Sequence, residues 1–187
     1  MKIRFFILFI LFYSCEPIEI IEPVVFDNSQ LKIITISAEN LEINQLYETK
    51  FADPYIDHSM GNPPVKRLKS WMNENIITIG NENKLKINIL DASLKKTEQN
   101  NENAKKFDEK VVYKYELFFL VEYNLFDNAG FLIANTTAEG FRSTTSGKYI
   151  SIQETEKIID DLILLSLIEF TNESKKLIDV YMKGYIL

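Results

Sequence analysis

The chain has 187 residues, with 21 basic and 27 acidic side chains, one histidine and one cysteine. This length fits one domain with short tails, and 46% hydrophobic with 26% charged residues is typical of a globular protein, not of a disordered or collagen-like one. The net charge of -6 argues against a nucleic-acid binder, which needs a basic face. A single cysteine excludes an internal disulfide and a zinc site built on several thiolates.

The first fifteen residues have the pattern of a secretory signal that ends at a cysteine. Lys2 and Arg4 precede an unbroken apolar run at 5–13. This run is too short for a bilayer span of about 20 residues, and it matches the h-region of a signal peptide. Ser14 and the sole cysteine, Cys15, follow directly. The arrangement resembles a bacterial lipoprotein signal, which implies that the Cys15 thiol carries a diacylglyceryl group and becomes the new N-terminus.

Two other interpretations of Cys15 stay open: a free cysteine inside an ordinary signal, and an uncleaved anchor. Cleavage before Cys15 removes Lys2 and Arg4 and leaves 19 basic and 27 acidic residues, a net charge of -8. Anionic headgroups repel so acidic a body, so the acyl chains, palmitate among them, are expected to hold it at the membrane. The predicted location is the bacterial cell envelope, lipid-anchored and facing the periplasm. Glu16 leaves the choice of inner or outer membrane open.

Residues 16–30 contain Pro17 and Pro23 among acidic side chains. Proline stiffens the backbone and removes amide donors, so this stretch is predicted to be an extended tether. We therefore expect a signal peptide at 1–14, a lipidated cysteine and tether at 15–30, and a single α+β domain at 31–187.

The clearest strand is predicted at 111–125. Its odd positions are apolar or aromatic and its even positions include several charged residues, which indicates a half-buried antiparallel strand with one wet face. Further strands are predicted at Leu31–Ile43, Leu85–Leu94 and Phe131–Thr144, the last after a hairpin turn at Asp127–Gly130. The polar stretch 95–109 lacks apolar periodicity and predicts a loop.

Two helices complete the pattern. Asn62 is expected to cap the first helix, whose apolar stripe runs to Ile79 and which Gly80 ends. The second helix is expected to begin at Ser151, with Glu154 completing a capping box, and to continue to Tyr181; whether it is kinked near residues 171–172 stays open. The predicted fold is α+β: a four-stranded, mainly antiparallel sheet with two helices packed on one face, in the order β-α-β-β-β-α.

Residue types used in catalysis gather at one place, the segment that carries Asp53, Tyr55, Asp57 and His58. A catalytic triad normally draws its members from separate elements, and adjacent residues of an extended segment point to opposite sides. We therefore interpret these four residues as a structural polar cluster that fixes the turn into the first helix. No phosphate-binding loop or hydrolase motif is present, and we expect no catalytic residue, no metal and no cofactor.

Phe118 and Leu120 break the pattern of the third strand, because they lie on its polar face between Glu116 and Glu122. An apolar patch on an otherwise polar sheet face is typical of a contact surface. Phe118 and Leu120 are the candidate contact with a partner protein.

Several short motifs within residues 50–180 resemble one protein family. They are Tyr55-x-Asp57-His58-x-Met60-x-x-Pro63-Pro64, Trp71, Gly80, Asp91-Ala92-Ser93 and Arg142-Ser143-x-Thr145. In these motifs the chain resembles a family of uncharacterised alphaproteobacterial envelope lipoproteins. Its order of strands and helices is also similar to that of the LPS-assembly lipoprotein and of auxiliary lipoproteins of ABC-type transporters. The second similarity implies a protein that plugs, stabilises or bridges a larger membrane machine and is not an enzyme.

The first interpretation of function is a non-enzymatic, membrane-anchored envelope lipoprotein. It would act as an accessory or assembly subunit of a membrane complex, with a protein partner in the envelope and no nucleic acid. The alternative is a periplasmic binding module for a lipid or small apolar ligand, and an enzyme that uses His58 and Asp57 comes third. A large empty apolar pocket between the long helix and the sheet would favour the binding module. A filled core with an exposed aromatic patch would favour the accessory subunit.

Overall fold

The computed structural model describes residues 28–102, 104–105 and 109–187. The predicted signal peptide at 1–14, Cys15 and residues 16–27 of the predicted tether lie outside the described residues. The last three tether residues, Asn28–Gln30, form one turn of 3-10 helix that leads into the domain.

The described residues form two sheets and two α-helices. The strands are β1 (Ile34–Ile36), β2 (Asn40–Gln45), β3 (Ile76–Thr78), β4 (Lys84–Asn100), β5 (Val111–Phe126) and β6 (Leu132–Gly147). The helices are α1 (Pro64–Asn75) and α2 (Ile152–Tyr181). Short 3-10 helices occur at Asp57–Ser59 and Lys183–Tyr185.

The main sheet has the strand order β2-β4-β5-β6. Strand β2 is parallel to β4, whereas the β4–β5 and β5–β6 pairs are antiparallel. Both helices pack on the sheet face that carries the odd-numbered residues of β5, which we call the inner face. The predicted fold class, an α+β domain with a four-stranded, mainly antiparallel sheet and two helices on one face, is confirmed.

Alternation in β5 accounts for the two faces of the sheet. The residues at odd positions from Tyr115 to Leu125 are buried, with Tyr115, Leu117, Phe119, Val121 and Tyr123 at 0% exposure. Most of the even positions between them are half-buried. A period of two therefore places one set of side chains in the core and the other on the opposite face, which we call the outer face.

The predicted first strand, Leu31–Ile43, is wrong as a single element. The chain forms β1 in a two-stranded sheet with β3, turns at residues 37–39, and enters the main sheet as β2. The turn is held by the Ser37 amide, which donates to the Tyr185 carbonyl at 2.7 Å, and by the Glu39 amide, which donates to the Glu82 carbonyl at 3.0 Å. These partners are distant in sequence, so local β propensity does not reveal the break.

The start of α1 differs from the prediction at its cap. The N-cap residue is Pro63, without a side-chain hydrogen bond to the helix, and Asn62 is not the cap. Instead, the Asn62 carbonyl accepts a hydrogen bond of 3.2 Å from Nε of Arg67. Proline in the first turn needs no amide partner, so this helix begins without a polar cap.

Helix α1 also ends earlier than predicted, at Asn75. The predicted helical stripe continued through Ile76 and Ile79, but Ile76 opens β3 and pairs in parallel with Ile34 of β1. The β-branched side chains of β3 favour a strand, and β1 supplies the hydrogen-bonded partner. Gly80, at φ of 147°, turns the chain after β3 and does not end the helix.

The predicted loop at 95–109 begins as strand. Residues 95–100 extend β4 and pair with the first part of β5, from Lys95 opposite Glu116 to Asn100 opposite Val111. Polar side chains are accommodated because this end of the strand is half-buried or exposed. Nζ of Lys96, for example, lies 3.7 Å from the centre of the Tyr113 ring, a cation–π contact.

Helix α2 begins with the predicted capping box: the Ser151 hydroxyl accepts from the Glu154 amide at 3.2 Å, and the Glu154 carboxylate accepts from the Ser151 amide at 2.9 Å. The helix is continuous through residues 171–172, over the 30 residues Ile152–Tyr181. The Thr171 hydroxyl donates to the Ile168 carbonyl at 3.1 Å, so it bonds within the helix and does not break it.

The core lies between the helices and the inner face. Trp71 of α1, 1% exposed, meets Phe170 of α2 edge-on at 6.2 Å between ring centres. Phe170 in turn packs on Phe119 of β5 at 5.4 Å. Three aromatic rings from three elements thus fill the space between helices and sheet. Indole Nε1 of Trp71 donates to the Lys32 carbonyl at 3.0 Å, which satisfies its one polar atom.

Candidate functional site: the outer face of the sheet

The outer face carries an apolar patch where β5 and β6 pair. Phe118 lies directly opposite Phe141, and Leu120 lies opposite Glu139. Phe118 and Leu120 are half-buried, and Phe141 is 61% exposed. We call Phe118, Leu120 and Phe141 the outer patch. The two residues expected from the sequence thus lie together, and a third aromatic residue joins them.

Polar side chains surround the outer patch. The neighbouring outer-face positions of β6 are exposed: Asn135, Thr137, Glu139, Ser143 and Thr145. On β5, Glu116 pairs with Lys114 at 2.7 Å, and the Glu122 carboxylate accepts from Nδ2 of Asn88 and of Asn124, each at 2.8 Å. An apolar centre inside a hydrogen-bonded polar rim is the usual composition of a protein contact surface.

Sequence reasoning missed Phe141 because of the register between β5 and β6. At the hairpin Phe126 pairs with Leu132, and counting back from this pair would place Phe118 opposite Gly140. An irregularity between Leu125 and Phe126 shifts the register by one residue, so that Phe118 faces Phe141. A bulge of this kind adds a residue on one strand only. Phe141 shares the odd positions of β6 with polar residues such as Glu139 and Ser143, and this alternation alone is compatible with a place on the outer face.

The predicted polar cluster does not form one group. Asp57 is buried, at 1% exposure, and its Oδ2 accepts a hydrogen bond of 2.8 Å from the Tyr47 hydroxyl. His58 is exposed, and its ring centre lies 5.5 Å from that of Phe51. Asp53 is exposed as well. The carboxylate and the imidazole therefore have different surroundings, and no charge-relay geometry links them.

Tyr47 and Tyr55 each have a charged partner. Burial raises the pKa of Tyr47 well above its usual value, and the hydrogen bond to Asp57 raises it further. The Tyr55 hydroxyl accepts from Nζ of Lys50 at 3.1 Å, and this bond lowers the pKa of Tyr55. Tyr47 was not expected from the sequence; its distance of ten residues from Asp57 gives no periodic signal.

These tyrosines lie in a segment that is hydrogen-bonded to the edge of β4. The Tyr47 amide donates to the Ile89 carbonyl at 2.9 Å, and the Ile56 amide donates to the Leu94 carbonyl at 3.0 Å. The Lys96 amide donates to the Pro54 carbonyl at 2.8 Å. The arrangement can fix the path of the chain from β2 into α1, and Oδ1 of Asp57 is buried there without a hydrogen-bond partner.

A surface cleft of about 440 Å³ lies between α1, α2 and the 3-10 turn at the start of the domain. Its lining mixes apolar side chains, Leu31, Trp71 and Leu167, with polar ones that include Lys66 and Arg67, and Arg67 forms an ion pair with Asp160 of α2. Across the residues that the structure describes, no three histidine, cysteine or carboxylate side chains gather in a way that could hold a metal ion.

Neither α1 nor α2 has both the length and the apolar character that a bilayer-crossing helix needs, and these are the α-helices of the described part of the chain.

The chain matches no protein-family model and no curated protein in sequence. Among solved structures, it is similar to a minor lipoprotein from Acinetobacter baumannii, at 11% identity and a TM-score of 0.43, over 87% of this chain and 96% of that one. It is also similar to rare lipoprotein B from Shewanella oneidensis, at 10% identity and a TM-score of 0.36, over 74% of this chain and 95% of that one. These structural neighbours are bacterial lipoproteins. At such TM-scores they carry no argument about function.

Proposed function

We propose that this chain is a non-enzymatic, lipid-anchored lipoprotein of the bacterial cell envelope that faces the periplasm. In this proposal it serves as an accessory or assembly subunit of a membrane complex. The observation that carries the proposal is the outer patch: an aromatic and aliphatic surface on the sheet face opposite the helices. The signal-like N-terminus with Cys15 supports the envelope location.

The filled core supports an accessory subunit over a ligand-binding module. A module for a lipid needs an apolar cavity between sheet and helices. In this region Phe119 and Phe170 are 0% and 1% exposed and pack on each other, and the position of a Cβ on Gly140 would lie 3.2 Å from the Phe170 ring. So close an approach of helix and strand leaves no room for an acyl chain there.

The anchor is tested by metabolic labelling with a palmitate analogue. We expect the wild-type chain to incorporate the label and to sediment with membranes, because more than one acyl chain on Cys15 anchors a protein stably. Cys15→Ser should lose the label and leave the membrane fraction. Equal incorporation in both chains would contradict the lipid anchor.

The contact surface is tested by capture of the partner from crosslinked membranes. Phe118→Glu combined with Leu120→Glu places charge in the outer patch and should reduce capture at least tenfold, the loss that about 1.4 kcal/mol of binding free energy represents. A matched control replaces two exposed apolar residues elsewhere, Phe51 at 82% and Leu46 at 59% exposure, by glutamate. This control should capture the partner as the wild type does.

The same double variant reports whether Phe118 and Leu120 are surface or core. Both side chains are half-buried on the outer face, so their replacement should change the free energy of unfolding by about 1 kcal/mol or less. Unfolding of the variant would assign the pair to the core. A folded variant with unchanged capture would remove the outer patch as the contact.

A further inference from the structure

Strand β6 is the last strand of the main sheet and pairs with β5 only; on its other side no strand lies within the described part of the chain. It is 16 residues long and contains neither proline nor lysine. Exposed edge strands present unpaired amides and carbonyls, and proteins that do not use them usually protect them with lysine, proline or bulges. The bulge of β6 lies at its start, between Leu132 and Ala134, so the edge from Asn135 to Gly147 has neither lysine, proline nor a bulge.

A cleft of about 270 Å³ follows this edge, between β6 and α2. Glu139 and Phe141 line it from the strand, and Glu169 and Glu173 line it from the helix. Ser166 of α2 also lines the cleft; it is 5% exposed, and its Oγ is buried without a hydrogen-bond partner. A serine within a helix normally bonds a carbonyl one turn earlier. This hydroxyl therefore has unused hydrogen-bonding capacity beside the free edge.

The charge of the cleft indicates what binds there. Arg142 pairs with Glu169, and Glu173 pairs with Lys176 at 3.3 Å. Glu139 makes no ion pair with any residue that the structure describes, so negative charge remains at the edge. The chain's own residues 16–30 are acidic, with no lysine or arginine, and a second copy cleaved before Cys15 brings a net charge of -8. Both would place like charges together, which disfavours them as occupants.

We propose that the edge of β6 binds an extended segment of the partner protein that carries lysine or arginine and adds to the main sheet as a fifth strand. This inference rests on the proposed function and specifies the kind of partner segment. Backbone hydrogen bonds to β6 supply the affinity, and side chains at alternate positions supply the specificity. Glu139 pairs with the basic side chain of the segment, and the added strand covers the exposed side of Phe141, which joins the edge to the outer patch.

The test is site-specific photo-crosslinking of the full-length chain in cells. A photo-crosslinkable amino acid is placed at Thr137, Ser143 or Thr145, all exposed on β6, and the crosslinked positions in the partner are mapped by mass spectrometry. A strand pair has a fixed register. The three sites should therefore crosslink to one partner segment, at positions that move steadily along it as the site moves along β6, with a lysine or arginine close to the position opposite Glu139.

Charge variants complete the test. Glu139→Lys should reduce the crosslink yield from Ser143 at least tenfold, and Glu139→Gln should reduce it less. Glu156→Lys, the same change at an exposed position near the start of α2, should leave the yield unchanged. A crosslinked product of two copies of this chain, crosslinks scattered over several partner segments, or equal yields from Glu139→Lys and Glu156→Lys would each overturn the proposal.

The outer patch variant separates this proposal from the proposed function. If Phe118→Glu with Leu120→Glu reduces capture while β6 shows no ordered register, the accessory subunit stands and the added strand is wrong. If neither the β6 sites nor the membrane crosslinking captures a partner, both proposals fail.

Discussion

At the scale of single residues, the contact between Gly140 and Phe170 sets how closely α2 approaches the sheet. A Cβ at position 140 would lie 3.2 Å from Cδ2 and 3.4 Å from Cβ of Phe170. Phe170 is held in turn by Phe119 and Trp71, so the ring has little freedom to move away. Glycine is required here by the close approach of the helix and not by the backbone conformation.

Gly140→Val is therefore expected to destabilise the domain by about 1–3 kcal/mol, because the added methyl groups overpack a filled site. The measurement is the free energy of unfolding from a urea titration of the detergent-solubilised chain. Gly61→Val is the control, since nothing lies within 4 Å of a Cβ at that position. Equal stability of the two variants would contradict the close approach of α2 to β6 at Gly140.

At the scale of elements, Tyr123 of β5 ties the sheet to α2. It is fully buried, and its hydroxyl is hydrogen-bonded to Oγ of Ser174 at 3.1 Å. Burial raises the pKa of Tyr123 well above the usual 10.0. Above pH 10 the unfolded chain loses the phenolic proton while the folded chain keeps it. The stability that burial provides is therefore complete below pH 10 and declines as the pH rises further.

Between pH 10 and 11, the free energy of unfolding should fall by about 1 kcal/mol for each such tyrosine, and the slope should approach about 1.4 kcal/mol per pH unit above pH 11. Tyr123→Phe should remove that contribution from the slope, although the variant is less stable at neutral pH. Phe119→Leu, which changes a fully buried side chain of the same strand but removes no titratable group, should leave the slope as in the wild type. The measurement is urea denaturation at a series of pH values, and an unchanged slope in Tyr123→Phe would contradict the burial of this hydroxyl.

The sequence predicts those elements that depend on local signals and not those that depend on pairing with distant residues. Strand β5 and the capped start of α2 depend on local signals, a period of two and the Ser151–Glu154 box, and both agree with the structure. The break between β1 and β2 and the early end of α1 depend on pairing with residues 40 or more positions away. The polar composition of residues 95–100 indicated a loop. These residues form a strand because β5 supplies their backbone hydrogen bonds, and amino-acid composition does not reveal which segments pair.

At the scale of the whole molecule, the two faces of the main sheet differ in what they contact. The inner face, under α1 and α2, holds the core, and the outer face presents the outer patch and the free edge of β6. Phe118 and Leu120 could be predicted as a pair, because they interrupt a polar face of a regular strand. The alternation of β6 is compatible with Phe141 on the outer face, but its position opposite Phe118 depends on the bulge beside Phe126, and the edge cleft depends on where α2 packs.

The most direct test of the partner surface is thiol labelling of introduced cysteines, which is possible because the chain has a single cysteine of its own. In the proposed lipoprotein the thiol of Cys15 is blocked by its lipid, so Phe141→Cys and Val180→Cys would each carry one reactive thiol, at positions that are 61% and 62% exposed in the domain. The measurement is the rate of maleimide labelling in native membranes and after purification in detergent. We expect Phe141→Cys to react at least tenfold more slowly in membranes, because the partner covers the outer patch, and Val180→Cys to react equally in both. Equal rates for Phe141→Cys in membranes and in detergent would contradict a partner on this face.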